Sequence, residues 1–273
     1  MEDAVPVPGQ ETRPPLDAEL LRQALVVPGG PWTALEVPAR TGSTNADVVA
    51  AVADGAPAGL VVTTEHQTAG RGRLDRRWEA PPRSGVVVSV LLRPDDVPLA
   101  RWTWLPLLAG LAVDRTVRDC GVASALKWPN DVLAGDRKLC GILVERAEGP
   151  AGPAAVLGIG LNVSLGADEL PVPTATSLAL EGAHTLDRGV VLRRLLAHLH
   201  DLYRPWAEGA GDARGLRADY VARCATVGSQ VRVSLPDGSA LEGTAEDVDV
   251  HGRLVVDGRA LSAGDVTHVR PAS

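Results

Sequence analysis

The sequence predicts a mixed fold of interleaved helices and strands, followed by a small all-β unit at its C-terminal end. Three observations carry this. Helix-periodic and strand-like segments alternate from Asp17 to Trp206. The run Val87–Leu92 is apolar enough for a strand buried on both faces. After Cys224 the pattern changes to short alternating strands separated by Gly-containing turns.

Residues 1–31 read as a leader with one short helix. Its first 15 residues hold Pro6, Pro8, Pro14 and Pro15 without apolar periodicity, and predict a mobile segment. Asp17–Val26 then predicts a helix ended by Pro28-Gly-Gly-Pro31. Trp32–Ala39 is strand-like. A helix follows over Asn45–Asp54, with Thr44-x-x-Asp47 as a capping box and Gly55 as the stop. Leu60–His66 and Val86–Arg93 are β-rich, and residues 69–78 between them are too polar and Gly-rich for either element. Trp104–Cys120 predicts a helix and Ala125–Trp128 a short strand. Asp131–Ala134 and Lys138–Ala147 predict a hairpin turning at Gly135-Asp136, and Ala154–Val163 another strand. Arg188–Trp206 is the clearest amphipathic helix, with Val191, Leu192, Leu195, Leu196, Leu199 and Leu202 on one stripe. In the tail, Val231, Val233 and Leu235 alternate with polar residues, and turns fall at Pro236-Asp-Gly238, His251-Gly252 and Asp257-Gly258. A stretch of about 45 residues suits a small five-stranded barrel of SH3-like size. The predicted units are the leader 1–31, a main unit 32–224 and a small unit 225–273.

Composition narrows the class of function. A net charge of −7 argues against general nucleic-acid binding. No apolar run reaches the ~18 residues of a membrane span, and the acidic start Met1-Glu-Asp-Ala4 is neither a signal nor a transit peptide. Cys120, Cys140 and Cys224, odd in number and without a CxxC pair, predict reduced thiols and a cytoplasmic location. Phe is absent, and of the 27 basic residues only Lys127 and Lys138 are lysines. Only Asn45, Asn130 and Asn162 are asparagines. In a chain where Arg has replaced Lys almost everywhere, a remaining Lys marks a place that needs a compact ammonium rather than a planar fork.

Five segments hold these survivors or the residues that fit them. Arg71, Arg73, Arg76 and Arg77 crowd the Gly-rich loop 69–78. Arginines suit phosphate or carboxylate, and Gly70 and Gly72 let the backbone approach a ligand; alone, the loop reads equally as a solvated basic segment. The pattern is not a P-loop. Lys127-Trp-Pro-Asn-Asp131 displays Asn130 and Asp131 at a strand end, or else forms a polar turn. Arg137-Lys138 precedes Gly141 and Glu145 on a strand, which frees the Lys138 side chain to enter a cleft. Gly158-Ile-Gly-Leu-Asn162 fails as a dinucleotide fingerprint because no third Gly opens a helix. Ser43 and Thr44 are most simply helix caps, although free N–H groups and hydroxyls at a helix start also suit a polar ligand. Gln67 adds an amide beside the loop. No Cys/His metal cluster stands out.

Taken together, Ser43-Thr-Asn45, Gln67-Thr-Ala-Gly-Arg-Gly-Arg73 with Trp78, Lys127-Trp-Pro-Asn-Asp131, Arg137-Lys138 with Gly141–Glu145, and Gly158–Asn162 resemble biotin–protein ligases. The resemblance runs through most of residues 36–206 and continues in the barrel-like tail. It implies an α+β fold, a mixed sheet with helices on one side related to class II aminoacyl-tRNA synthetase cores, plus an SH3-like C-terminal domain. It implies that biotin and ATP with Mg²⁺ give biotinyl-5′-AMP, which a lysine of a biotin carboxyl carrier protein domain of acetyl-CoA or related carboxylases attacks. No permanently bound cofactor is implied. By the same resemblance Ser43, Thr44, Asn45 and Gln67 line the ureido pocket, and Arg71, Gly72 and Arg73 close over carboxylate and phosphate. Lys138 bridges biotin carboxylate and α-phosphate. Trp78, Asn130 and Asn162 lie on the nucleotide side, and Asp131 lies near the metal or the incoming lysine, with no dedicated metal site. Leu74-Asp75-Arg76 departs from the family's usual Arg-Gly-Arg. The short Pro-rich segment before Ser43 resembles the form without an N-terminal winged helix, so no specific DNA and no membrane are expected as partners. A lipoate–protein ligase, a non-catalytic biotin sensor and a repressor are the rival readings. The tail's Arg232, Arg253, Arg259 and Arg270 are either carrier-facing or solvated.

Overall fold

Asp17 opens the first helix, α1 (Ala18–Leu25), by accepting from the Leu20 N–H. The computed structural model describes residues 13–74, 76–235 and 237–269. The first twelve leader residues, Asp75 of the loop, Pro236 of the tail turn and Arg270 therefore lie outside the described residues. The part of the leader before α1 that is described is tied down rather than loose. Arg13 pairs with Glu169, and the Arg188 guanidinium donates to the Pro14 carbonyl at 2.7 Å.

The larger sheet has seven strands. They are β1 (Ala34–Glu36), β2 (Leu60–Thr63), β3 (Gly85–Leu92), β4 (Ala125–Lys127), β5 (Asp131–Ala134), β6 (Arg137–Gly149) and β7 (Gly152–Asn162). Their order is β1-β2-β3-β7-β6-β5-β4; β1 and β2 are parallel, and every other neighbouring pair is antiparallel. The sheet is thus mixed, and its long central ladder joins β3, β7 and β6.

One face carries Val86, Val88 and Val90 of β3 with Leu157, Ile159 and Leu161 of β7. These pack against the buried stripes of α3 (Leu105–Arg118) and α4 (Arg188–Glu208) in the main core. The six apolar side chains of the α4 stripe are all buried, and each contributes roughly 1.5–3 kcal/mol by leaving water. The opposite face packs α2 (Thr44–Ala53) through Val48 and Val52 against Val62, Ala154 and Val156 in a second, smaller cluster. α2 is therefore the helix that a strictly one-sided reading leaves out. The capping box does not form: Ser43 is the N-cap without a side-chain bond, and Thr44 is already helical. Gly55 ends this helix at φ +85°, where a side chain would be strained.

α5 (Arg214–Arg223) has no counterpart in the sequence reading, because it buries only Tyr220 and shows no apolar stripe. Tertiary contacts hold it, including Arg115 with Asp219 at 3.2 Å and Arg217 on the Val248 carbonyl at 2.7 Å. The tail forms β8 (Gln230–Ser234), β9 (Ala240–Val248), β10 (Leu254–Val256), β11 (Arg259–Leu261) and β12 (Asp265–His268). They make one antiparallel sheet in the order β11-β10-β9-β8-β12. Its inward side chains Val231, Val233, Ala245, Val248, Leu254, Val256 and Val266 belong to the same core as the larger sheet. Indole N–H groups of Trp128 and Trp104 reach into it, donating to the Gly252 and Val250 carbonyls at 3.0 and 2.8 Å. The two sheets share a core rather than hang together by a linker.

Candidate active site

The site is built on a bare patch of sheet. Gly141 of β6 stands directly opposite Gly160 of β7, and Leu143 opposite Gly158. Period-two alternation puts Gly158 and Gly160 on one face, the face that carries α2. Each glycine has a neighbour where a Cβ would go. The Trp78 ring lies 2.5 Å from such an atom on Gly160 and 3.0 Å from one on Gly141, and the Asn45 amide overlies Gly158. Any side chain at these positions would displace those groups.

Lys138 reaches this floor through a bulge. Val132 pairs with Cys140, but the next residue, Leu133, pairs with Lys138, so one extra residue stands in β6. A bulge shifts the alternation by one and re-aims the side chain, which brings Lys138 onto the glycine face. Its ammonium lies 2.7 Å from Asp131 Oδ1 and 6.0 Å from the Trp78 ring centre. Its side chain is 36% exposed and that of Asp131 20%, so the pair faces an opening rather than the core.

At the other end of the floor, the start of α2 brings Ser43, Thr44 and Asn45 to the cavity. The Gln67 carbonyl oxygen accepts from the Thr44 N–H at 2.8 Å. Ser89, buried in β3, contacts Thr44 Oγ1 at 2.7 Å and Asn45 Oδ1 at 2.6 Å. The cavity between these two ends measures about 120 Å³, below the ~300 Å³ of ordinary ligand pockets, because Trp78 lies across its floor. The Trp78 indole N–H is buried without an acceptor among the described residues, a costly condition for a polar group.

The loop folds over this cavity, and each of its four arginines has a partner. Arg71 bonds Glu145 at 2.9 Å, and Arg73 donates to Asn130 Oδ1 at 3.0 Å and to the Gly264 carbonyl at 3.3 Å. Arg76 pairs with Asp265, and Arg77 lies 3.9 Å from Glu79. Burial lowers the Arg73 pKa, with Asp265 and Asp131 working against that effect. The hydrogen bond to Asp265 raises that of Arg76. Burial alone would raise Asp265, but the hydrogen bond and charge of Arg76, with Lys127 and Arg73, outweigh it and hold its carboxyl below the usual range. Asp265 is thus a cavity-lining residue supplied by the tail. In the tail itself, Arg232 pairs with Glu242 and Arg253 with Asp249.

The structure brings Ser43, Thr44, Asn45, Gln67, Arg71, Gly72, Arg73, Trp78, Asn130, Asp131 and Lys138 to one cavity. Asn162 does not line it. Its amide donates 2.9 Å to the Thr176 carbonyl and ties the end of β7 to the segment that follows, beside the backbone bond from Lys138 N–H to Thr174. The sequence reading did not single out Ser89, Glu145 or Asp265 as site residues. Ser89 left a signal as the one polar residue in an apolar strand; the other two look like ordinary surface acids. Among the described residues no group of three or more His, Cys, Asp or Glu side chains could hold a metal ion.

Comparison with known proteins bears on the family and the fold. Residues 38–162 match the biotin/lipoate A/B protein ligase family, and residues 226–269 match the biotin protein ligase C terminal domain. The biotin–[acetyl-CoA-carboxylase] ligase of Mycobacterium tuberculosis is 47% identical over 94% of this chain and 97% of its own length. The bifunctional ligase/repressor BirA of Bacillus subtilis is 33% identical over 74% of this chain and 62% of its own length. Among solved structures, the biotin protein ligase from Aquifex aeolicus in complex with biotin and ATP shares the fold. Its TM-score is 0.73 at 24% identity, over 88% of this chain and 100% of that one. On the identity and coverage of the first of these relatives, the chain belongs to the biotin protein ligase family.

Proposed function

We propose that this protein joins biotin to a lysine of a biotin carboxyl carrier protein domain in two steps. A biotin carboxylate oxygen attacks the α-phosphorus of ATP, the α–β phosphoanhydride bond breaks, and pyrophosphate leaves. The carrier lysine amine then attacks the acyl carbon of biotinyl-5′-AMP, an amide bond forms, and AMP departs. One observation carries this reading above the others. A single ammonium, Lys138, is delivered by a bulge to a glycine floor whose other end is lined by Ser43, Thr44, Asn45 and Gln67.

Each residue then has a task. Thr44, Asn45 and Gln67 present amide and hydroxyl groups to a neutral, hydrogen-bonding head group, with Ser43 at the helix start. Lys138 places a point charge where carboxylate and phosphate oxygens meet, which stabilises charge that develops in the transition state. Arg71 and Arg73, on either side of Gly72, supply bidentate donors for the same anions. Trp78 leaves the floor as ligand enters, and its indole N–H and ring serve the nucleotide, with Asn130 beside it. Asn162 acts from behind, by holding the end of β7. Mg²⁺ enters as part of the ATP substrate. The donor set fits that role, since Asp131 and Asp265 line the cavity already paired with cations and phosphate oxygens would supply the rest of the shell. Asp131 also stands ready beside the incoming lysine.

The main unit 32–224 carries the chemistry, and the small unit 225–273 closes the cavity through Asp265. Among the described residues no helix is long and apolar enough to cross a membrane. The three cysteines are free and buried, which suits a reducing cytoplasm. Biotin-dependent exchange of label between pyrophosphate and ATP tests the first step, with lipoate as competitor. Exchange that needs lipoate, or no ligand at all, would overturn the reading.

A further inference from the structure

A carboxylate held by a guanidinium has lone pairs and no hydrogen to donate. Glu145 is such a group. Its Oε2 accepts from Arg71 Nη2 at 2.9 Å and from Asn45 Nδ2 at 2.7 Å. It follows that the NH₂ end of the Asn45 amide must face Glu145, and the carbonyl end must face away. The other hydrogen of that NH₂ group points to the Leu143 carbonyl at 3.4 Å. Asn45 Oδ1 therefore lies over Gly158 on the cavity floor, where Ser89 Oγ is its near neighbour at 2.6 Å. A hydroxyl has one hydrogen. With Oδ1 fixed as an acceptor, the single Ser89 hydrogen goes to it. Across the 2.7 Å contact Ser89 therefore accepts from the Thr44 hydroxyl, while Gln67 Oε1, 3.1 Å from that hydroxyl, is served by the Thr44 backbone N–H. The direction of the whole chain, Thr44 to Ser89 to Asn45 to Glu145, is set by one carboxylate that lines the outer groove rather than the cavity. Asn45 Oδ1 keeps its second lone pair for a ligand N–H.

We propose that Glu145 is a positioning residue for this reaction: it fixes Asn45 as an acceptor toward the cyclic urea, and through the same oxygen it holds Arg71 on the outer groove until a ligand anion claims it. This rests on the biotin-ligase reading above. The two halves act on different kinetic terms. Setting the Asn45 amide governs binding of the head group. Holding Arg71 competes with the anion and so restrains the adenylation step.

Glu145→Gln keeps the size of the side chain but removes the charge and adds donors, so Asn45 is no longer forced into one orientation. Calorimetric titration of biotin without ATP should show affinity falling by about tenfold, the scale of one mis-set buried hydrogen bond. The kcat for biotin-dependent pyrophosphate exchange should hold or rise, because Arg71 is released. Ser89→Ala removes the donor on the other side of Asn45 and should also weaken biotin binding, but without raising kcat. This second variant reads the network even if Glu145→Gln fails to fold. Unchanged biotin affinity in both variants would overturn the proposal. So would a proportional loss of affinity and kcat that tracks a lower melting temperature, since that marks a merely structural residue. Failure of the wild-type protein to bind biotin overturns the ligase reading itself and is distinguishable from both.

Discussion

Replacing Lys138 separates chemistry from folding more cleanly than any other change at this site. The ammonium lies over Gly141, 2.7 Å from Asp131, and its side chain is 36% exposed. An ion pair this open contributes no more than about 1 kcal/mol to stability. Besides the stem lying over Gly141, the ammonium makes only a long approach to the Trp78 ring among the described residues, so Lys138→Ala should melt within a few degrees of wild type. The catalytic cost is of a different size. Removing one preorganised charge stabiliser from such a site lowers the rate about 10²–10³-fold, or about 2.7–4 kcal/mol. Lys138→Met keeps the stem over Gly141 and should lose as much activity as alanine, which assigns the loss to the charge. Lys138→Arg should also be poor. The ammonium sits over the bare Gly141 backbone beside Asp131, and a planar fork cannot place a single compact donor there. The assay is biotin-dependent pyrophosphate exchange, with thermal melting by circular dichroism as the folding control. Near-normal exchange by a folded Lys138→Ala protein would refute the role of the bulge and of the lysine it delivers.

Four further expectations are open to measurement. Trypsin should cut the ligand-free protein within residues 71–77, because Arg76 and Arg77 are 62% and 82% exposed, and biotin with ATP should slow that cleavage; equal rates in both states would remove the loop from the mechanism. The tail shares the main core, so its role is probed by a charge swap rather than by deletion. Arg76→Asp and Asp265→Arg should each lower transfer to the carrier several-fold and the double variant should recover it, whereas additive losses would show that the pair does not act as a latch. Iodoacetamide at mildly alkaline pH should label none of the three cysteines until denaturant is added. All three are buried, and burial raises the pKa of Cys120, Cys140 and Cys224 alike, so each stays a thiol in the fold. A mobility-shift assay should detect no sequence-specific duplex complex at ~200 mM salt, since duplex affinity depends on basic phosphate contacts.

By itself the sequence determined the parts list. Hydrophobic periodicity located α3 and α4, alternation and turn residues located the tail strands, and the scarcity of lysine and asparagine pointed to Lys138, Asn45 and Asn130. Periodicity and turn signals are local, since each depends on residues within a few positions of one another, and scarcity is a count over the chain that needs no partner. What the tertiary structure decided is whatever depends on register and on distant partners. A bulge at Leu139 put Lys138 on the floor, and nothing in Arg137-Lys-Leu-Cys140 announces a one-residue slip. Asn162 looked like its fellow asparagines but turned its amide to Thr176. Thr44 left its cap role to join a buried chain with Ser89. Asp265 and Glu145 became part of the site because residues 189 and 74 positions away, Arg76 and Arg71, fold back onto them. A carboxylate on a strand carries no mark of the partner it will meet, because the energy that selects that partner exists only once the loop has been folded onto the strand.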